Sequence, residues 1–133
     1  MNNFKNSFRP LNFGLLPVDH IKATLEIDLE VGEVVMSANA QKHASRRHFS
    51  DYNLCLPFIA GVLADPLYLG DDFNNSGKIE VIGRPHRLGQ PLLIAVEITK
   101  DDKGQYNLVS FYPVSDVKIQ NRRQKGFLKV AKK

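Results

Sequence analysis

Four residues within six positions carry the groups that acid–base chemistry on a phosphate needs: His43, Arg46, Arg47 and His48. Imidazoles exchange protons near neutral pH, and guanidinium groups bind phosphate or carboxylate oxygens in pairs. On a helix His43 and Arg47 are four apart and share a face. His43 and His48 are about 140° apart at 3.6 residues per turn, so they meet only if the helix ends or bends between them. The alternative is that one histidine caps a helix or fills the core while the arginines are solvated. A metal site is not expected, because there is no HExxH, no pair of histidines at i and i+4, and no carboxylate between His43 and Asp51. His20 and His86 are single and loop-flanked, which points to surface roles.

Two further groups stand out. Ser110 and Tyr112 are two apart in a strand-like run, so their hydroxyls share a sheet face opposite Val109 and Phe111. Arg84, beside Pro85 and His86, can add a cation at that rim. An ordinary solvated face has the same pattern. The last stretch, 117–133, holds Lys118, Arg122, Arg123, Lys125, Lys129, Lys132 and Lys133 with no acid, a charge of +7. The remainder has eleven basic and fourteen acidic residues, or −3. A basic terminus on a slightly acidic body is the footprint of a protein that meets a phosphate backbone or an acidic partner, or simply a solvated tail.

Residues up to about Asp19 form an extended arm. Ile21 to Glu30 alternates Leu25, Ile27, Leu29 with Glu26, Asp28, Glu30, which predicts a half-buried strand. Val34 to Met36 is a second extended run, and Ser37 caps a helix over Ala38 to about Phe49. Asp51 or Asn53 caps another helix ending at Asp65, with Pro57 early and Pro66 as the stop. Its Leu54, Phe58, Ile59, Val62 and Leu63 are expected in the core. Leu67–Gly70, Lys78–Arg84, Leu92–Thr99 and Gln105–Tyr112 then read as an antiparallel meander. A hairpin loop at Asp101–Gly104 sets Ile94 against Phe111, Val96 against Val109, Leu93 against Tyr112, Ala95 against Ser110 and Glu97 against Leu108. Ser115 or Asp116 caps a short basic helix to about Lys125, stopped by Gly126. The layout is α+β, with helices on one sheet face and the other face open to a ligand.

Composition bounds the rest. At 133 residues, 43% hydrophobic and 24% charged, the chain suits one globular domain rather than a disordered or fibrous one. Its single cysteine, Cys55, excludes an intramolecular disulfide and a cysteine-built zinc site. The longest apolar runs are too short to cross a bilayer, and Met1–Lys5 does not open a signal peptide. The expected location is the cytoplasm, or export by other machinery.

The order of His43-Ala44-Ser45-Arg46-Arg47-His48, an apolar helix, Asp65-Pro66-Leu67-Tyr68-Leu69-Gly70, Ile79-Glu80-Val81, Leu93-Ile94-Ala95-Val96, Val109-Ser110-Phe111-Tyr112 and Lys118-Ile119 with Arg122 and Gly126 resembles the phage-type branch of the barnase, EndoU, colicin and RelE-like nuclease superfamily. The resemblance spans about residues 33–128, leaving 1–32 as an arm and first strand and 129–133 as a basic tail. It implies N-terminal helices packed on a four-stranded antiparallel sheet and metal-independent endoribonuclease activity with no cofactor. The chemistry implied is attack of a 2′-hydroxyl on the adjacent phosphorus, leaving a 2′,3′-cyclic phosphate. His43, His48, Arg47, Ser110 and Tyr112 are then the catalytic set, and Arg46, Arg84, Lys118, Arg122 and Arg123 hold the substrate. Where relatives tend to carry a lysine after the "I-E-x" strand, this chain has Ile82-Gly83-Arg84, so Arg84 supplies that cation or the cation is missing. The implied partners are RNA, tRNA included, and a cognate antitoxin or immunity protein. The implied setting is a toxin or phage effector acting in the cytoplasm of a producing or target bacterial cell. A catalytically silent RNA- or protein-binding module of phage or prophage origin is the rival expectation, and a structural virion component a third.

Overall fold

The four strand-like runs of the second half of the chain do form a meander, but they are the centre of a larger sheet. The computed structural model describes residues 8–47, 49–71 and 77–132. Strands β3 (Tyr68–Asp71), β4 (Lys78–Gly83), β5 (Leu92–Glu97) and β6 (Tyr106–Pro113) run antiparallel in series. β7 (Leu128–Val130) adds to β3 at one edge. At the other edge β2 (Glu33–Met36) pairs parallel with β6, and β1 (Leu11–Leu15) pairs antiparallel with β2. The expected four-stranded antiparallel sheet is therefore a seven-stranded mixed sheet in the order β1-β2-β6-β5-β4-β3-β7. The added strands are short, and β2 meets β6 only after a crossover of some seventy residues, which strand periodicity does not reveal.

The strand expected over 21–30 is replaced by helix α1 (Val18–Leu25). Val18, Ile21 and Leu25 also fit helical spacing, and Asp19 in the first turn favours the helix N-terminus. Glu26 ends the helix in the left-handed conformation at φ 60°. The alternation beyond it is real: Ile27 and Leu29 pack against the core, but as irregular chain with no strand partner among the described residues. β1 and α1 belong to the same packed body as the rest, with Leu16 and Ile21 fully buried.

Ser37 caps α2 (Ala38–Arg47) as expected, its Oγ accepting from the Ala40 N–H at 3.0 Å. The following helix is not continuous. It divides into α3 (Phe49–Cys55), a 3-10 turn at Leu56–Phe58 and α4 (Ile59–Ala64), because Pro57 offers no N–H to an α-helical ladder. Ile59, Val62 and Leu63 are buried as expected, whereas Leu54 is half exposed.

The hairpin register holds at Leu93–Tyr112, Ile94–Phe111 and Ala95–Ser110, then slips, so that Val96 faces Leu108. Val109 is the extra residue of a β-bulge; it lies exposed rather than opposite Val96, and Leu108 takes the core position. The main core, with Ile21, Val34, Tyr52, Ile59, Ile94 and Phe111, fills one sheet face beneath α1–α4. The opposite face is not open. Helix α5 (Asp116–Gln124) covers it, seating Ile119 with Val114 and Leu128 on Ile82, Leu93 and Ala95. A single buried isoleucine in a basic helix gives too little apolar periodicity to announce this layer.

Cys55 sits in the main core with no exposed surface, and burial, helped by the Asp51 carboxylate, pushes its thiol up to about 11. At pH 8 only about one thiol in a thousand is then ionised, and the thiolate is the nucleophile. Native protein is expected to resist a disulfide reagent at that pH and to react quantitatively in denaturant; rapid labelling of the folded chain would contradict this burial. No helix among the described residues is long and apolar enough to cross a membrane.

Candidate functional site

The geometry of the site begins with a residue that the charge pattern conceals. Gln41, on the inward face of α2 with Ala40 and Ala44, is 3% exposed. Its Nε2 donates to the carbonyls of Arg9 and Met36, and its Oε1 accepts from the Tyr52 hydroxyl at 3.1 Å. One amide thereby ties α2 to the N-terminal segment, the end of β2 and α3. With Gln41 turned inward, His43, Arg46 and Arg47 are left exposed on α2.

They border a cleft of about 610 Å3 between α2 and strand β6. β2 accompanies β6 only as far as Tyr106 and Asn107, so the edge of Val109–Phe111 has no strand partner among the described residues. The bulge at Val109 lies on this stretch. Lys42, His43, Arg46 and Arg47 line one wall and Ser110 and Phe111 the other, with the Tyr52 and Phe111 rings 5.7 Å apart. No carboxylate lines the cleft among the described residues. An anion entering it meets four basic groups and the hydroxyls of Ser37 and Ser110, beside an imidazole able to move a proton.

The other expected site residues lie elsewhere. Tyr112 does not line the cleft. It lies under α5 on the second face, with the Lys118 ammonium 6.0 Å above its ring. Burial raises its phenol pKa; Glu80 adds to the rise and Arg122 opposes it. Arg84 is ion-paired with Asp116 at 2.6 Å, 32 residues along the chain, and borders a separate hollow with Phe58 and Val62. That bond holds the Asp116 carboxyl below its usual range and raises the guanidinium further, so Arg84 is engaged away from the cleft. Arg122 is bonded to Glu80, and Arg123 lies over the Tyr68 ring at 5.4 Å. His48 lies outside the described residues. The structure thus brings His43, Arg46, Arg47 and Ser110 together, and sets Tyr112, Lys118, Arg122 and Arg123 on the far side of the sheet.

Strand alternation explains the split. Ser110 and Tyr112 do share a face, but it is the face that α5 covers, and Ser110 reaches the cleft only because β6 is an open edge there. Lys42, Gln41 and Tyr52 went unnoticed in the sequence. The available signal was phase: Gln41 shares the inner face of α2 with two alanines. His20, expected at the surface without a partner, donates from Nδ1 to the Lys132 carbonyl at 3.0 Å and helps hold the chain end. No group of three or more His, Cys, Asp or Glu side chains among the described residues is arranged to hold a metal ion. No protein-family model, curated protein or solved structure matches this chain, so the chemistry of the cleft stands on its own residues.

Proposed function

We propose that the chain is a metal-independent endoribonuclease whose reaction takes place in the cleft between α2 and β6. One observation carries the proposal: an imidazole, two guanidinium groups and a hydroxyl from distant parts of the chain line one cavity that has no carboxylate among the described residues. His43 removes the proton of a ribose 2′-hydroxyl. The oxygen attacks the adjacent phosphorus, the bond to the 5′-oxygen breaks, and an acid returns a proton to that leaving oxygen. His48 is assigned the acid role from the family resemblance. Arg46 and Arg47 neutralise the phosphate, and Ser110 donates to the non-bridging oxygen on which charge gathers. A toxin or phage effector restrained by a cognate antitoxin or immunity protein is the setting that the same resemblance suggests.

The rival reading, an RNA-binding module without catalysis, rests on the same lining, since Lys42, Arg46 and Arg47 suffice to hold a phosphate backbone without any proton transfer. Incubation of the purified protein with total RNA in EDTA separates the two. Cleavage to 2′,3′-cyclic phosphate ends supports the nuclease, and RNA bound but left intact supports the module. Within the nuclease reading, Ser110→Ala is expected to slow turnover about tenfold with little change in Tm. A donor in an enclosed site is typically worth 10² or more, and Ser110 sits at an open rim. A variant with unaltered turnover would remove Ser110 from the mechanism.

A further inference from the structure

The far face of the sheet carries a second concave surface. A groove of about 380 Å3 is bounded by Lys118, Asn121, Arg122 and Lys125 of α5 and its end, by Phe127, and by Glu80 of β4. Among the described residues its one carboxylate is Glu80, which is bonded to Arg122 and so does not oppose an incoming anion. Lys118 and Lys125 are exposed and form no ion pair among the described residues.

Phe127 is 42% exposed beside them, and its position is fixed. Gly126 adopts φ 81°, and the Phe127 and Gly126 N–H groups donate to the Arg122 and Arg123 carbonyls at 3.0 and 3.1 Å. This closes α5 in the double hydrogen-bonded turn that glycine allows and presents the ring on a rigid turn. Lysines flanking a fixed, exposed aromatic ring are the arrangement by which proteins hold single-stranded nucleic acid, phosphates on the cations and a base on the ring.

The groove and the cleft share no lining residue, but one row of side chains links them. Glu80 pairs with Ala95, and Ala95 with Ser110, so the three form one cross-strand row on the α5 face. At about 4.8 Å between strands, Ser110 lies roughly 10 Å from Glu80, with the small, buried Ala95 side chain between them. Ser110 therefore ends the row that leads to Arg122 and also borders the cleft.

We propose that one RNA strand occupies both sites, crossing the open edge of β6 at Ser110, with its phosphates on Lys118 and Lys125 and a base stacked on Phe127. This rests on the reading that the cleft takes RNA, and it makes affinity depend on strand length.

The test uses fluorescence anisotropy with 2′-O-methyl oligoribonucleotides of about 4 and about 12 nucleotides, a span that brackets single-strand site sizes and cannot be cut at the 2′-oxygen. In the wild type the long oligomer is expected to bind more tightly and with a steeper dependence on salt. Lys118→Gln/Lys125→Gln should lower that slope by about 1.4, two single-strand phosphate contacts, and leave the short oligomer's affinity unchanged. Phe127→Ala should weaken the long oligomer about fivefold or more.

Equal slopes for both lengths in the wild type, or a double variant that keeps the length effect, would overturn the inference. So would displacement of the long oligomer by polyglutamate at equal charge concentration, which would show an acidic-protein surface instead. Loss of the length effect in the double variant with no cleavage of natural RNA by the wild type would overturn the nuclease proposal and support the groove. RNA cleavage with no length effect would do the reverse.

Discussion

Replacing His43 with alanine is expected to lower RNA cleavage by about 10²- to 10⁴-fold, the usual range for removal of a positioned general base. The folded state should scarcely notice. His43 is exposed on α2, and surface substitutions away from special contacts shift stability by about 0.5 kcal/mol or less. Turnover per folded molecule and Tm, measured on the same preparation, check both halves of the statement. Arg47→Gln provides the companion measurement: its loss should weaken binding of the scissile phosphate, read as a rise in KM. His48→Ala belongs in the same series, because a mechanism with two imidazoles requires its loss to be comparably severe. If His43→Ala retains full activity, the cleft between α2 and β6 is not where the chemistry occurs.

The second large effect is structural. Gln41→Leu preserves roughly the volume of the side chain but deprives the carbonyls of Arg9 and Met36 of a donor and the Tyr52 hydroxyl of its acceptor. Each buried group left without a partner costs about 1–3 kcal/mol, three groups are affected, and part of the loss is recovered by the more apolar side chain, so a net destabilisation of about 2–4 kcal/mol is expected. For a chain of this length that is a fall in Tm of roughly 10 °C. Tyr52→Phe removes one hydroxyl of the same network and should cost about 1 kcal/mol. The two effects should add incompletely in the double variant, because the Tyr52–Gln41 hydrogen bond is lost in both single variants. Thermal and urea unfolding of the three variants give the numbers. A Gln41→Leu protein as stable as the wild type would mean that α2 is held by the packing of Ala40 and Ala44 alone, and that the cleft is less rigid than its hydrogen bonds imply.

Much of the architecture was written locally. Ser37 as a helix cap, the basic helix begun at Ser115 and ended by Gly126, and the hairpin around Asp101–Gly104 are each decided by a few adjacent residues. Asp101 Oδ1 accepts from the Lys103 and Gln105 N–H groups, and Ser115 Oγ accepts from Lys118 at 3.1 Å. Such bonds form between neighbours in the chain, so residue type and spacing suffice to foresee them. The same holds for the α+β character of the chain and for the face that Ser110 and Tyr112 share, since both follow from hydrophobic period. Where two periods fitted one stretch, as at Val18–Leu25, the alternation pointed to the wrong element, and the pairing of β1 with β2 left that segment free to be helical.

The groups present to do chemistry, and the secondary element that carries most of them, are legible residue by residue: an imidazole and two guanidinium groups on one helix, a hydroxyl on one strand, a cationic helix near the end. Only the tertiary structure decided which of them meet. β2 stops pairing with β6 at Asn107, and this leaves an open edge for α2 to overhang. α5 folds across the second sheet face and takes Tyr112 with it, and Arg84 and Arg122 are claimed by Asp116 and Glu80, each more than thirty residues away. These outcomes depend on contacts between segments far apart in the chain. The side chains involved carry no mark of their partners, because an ion pair or a packed helix is a property of two surfaces brought together and not of either one.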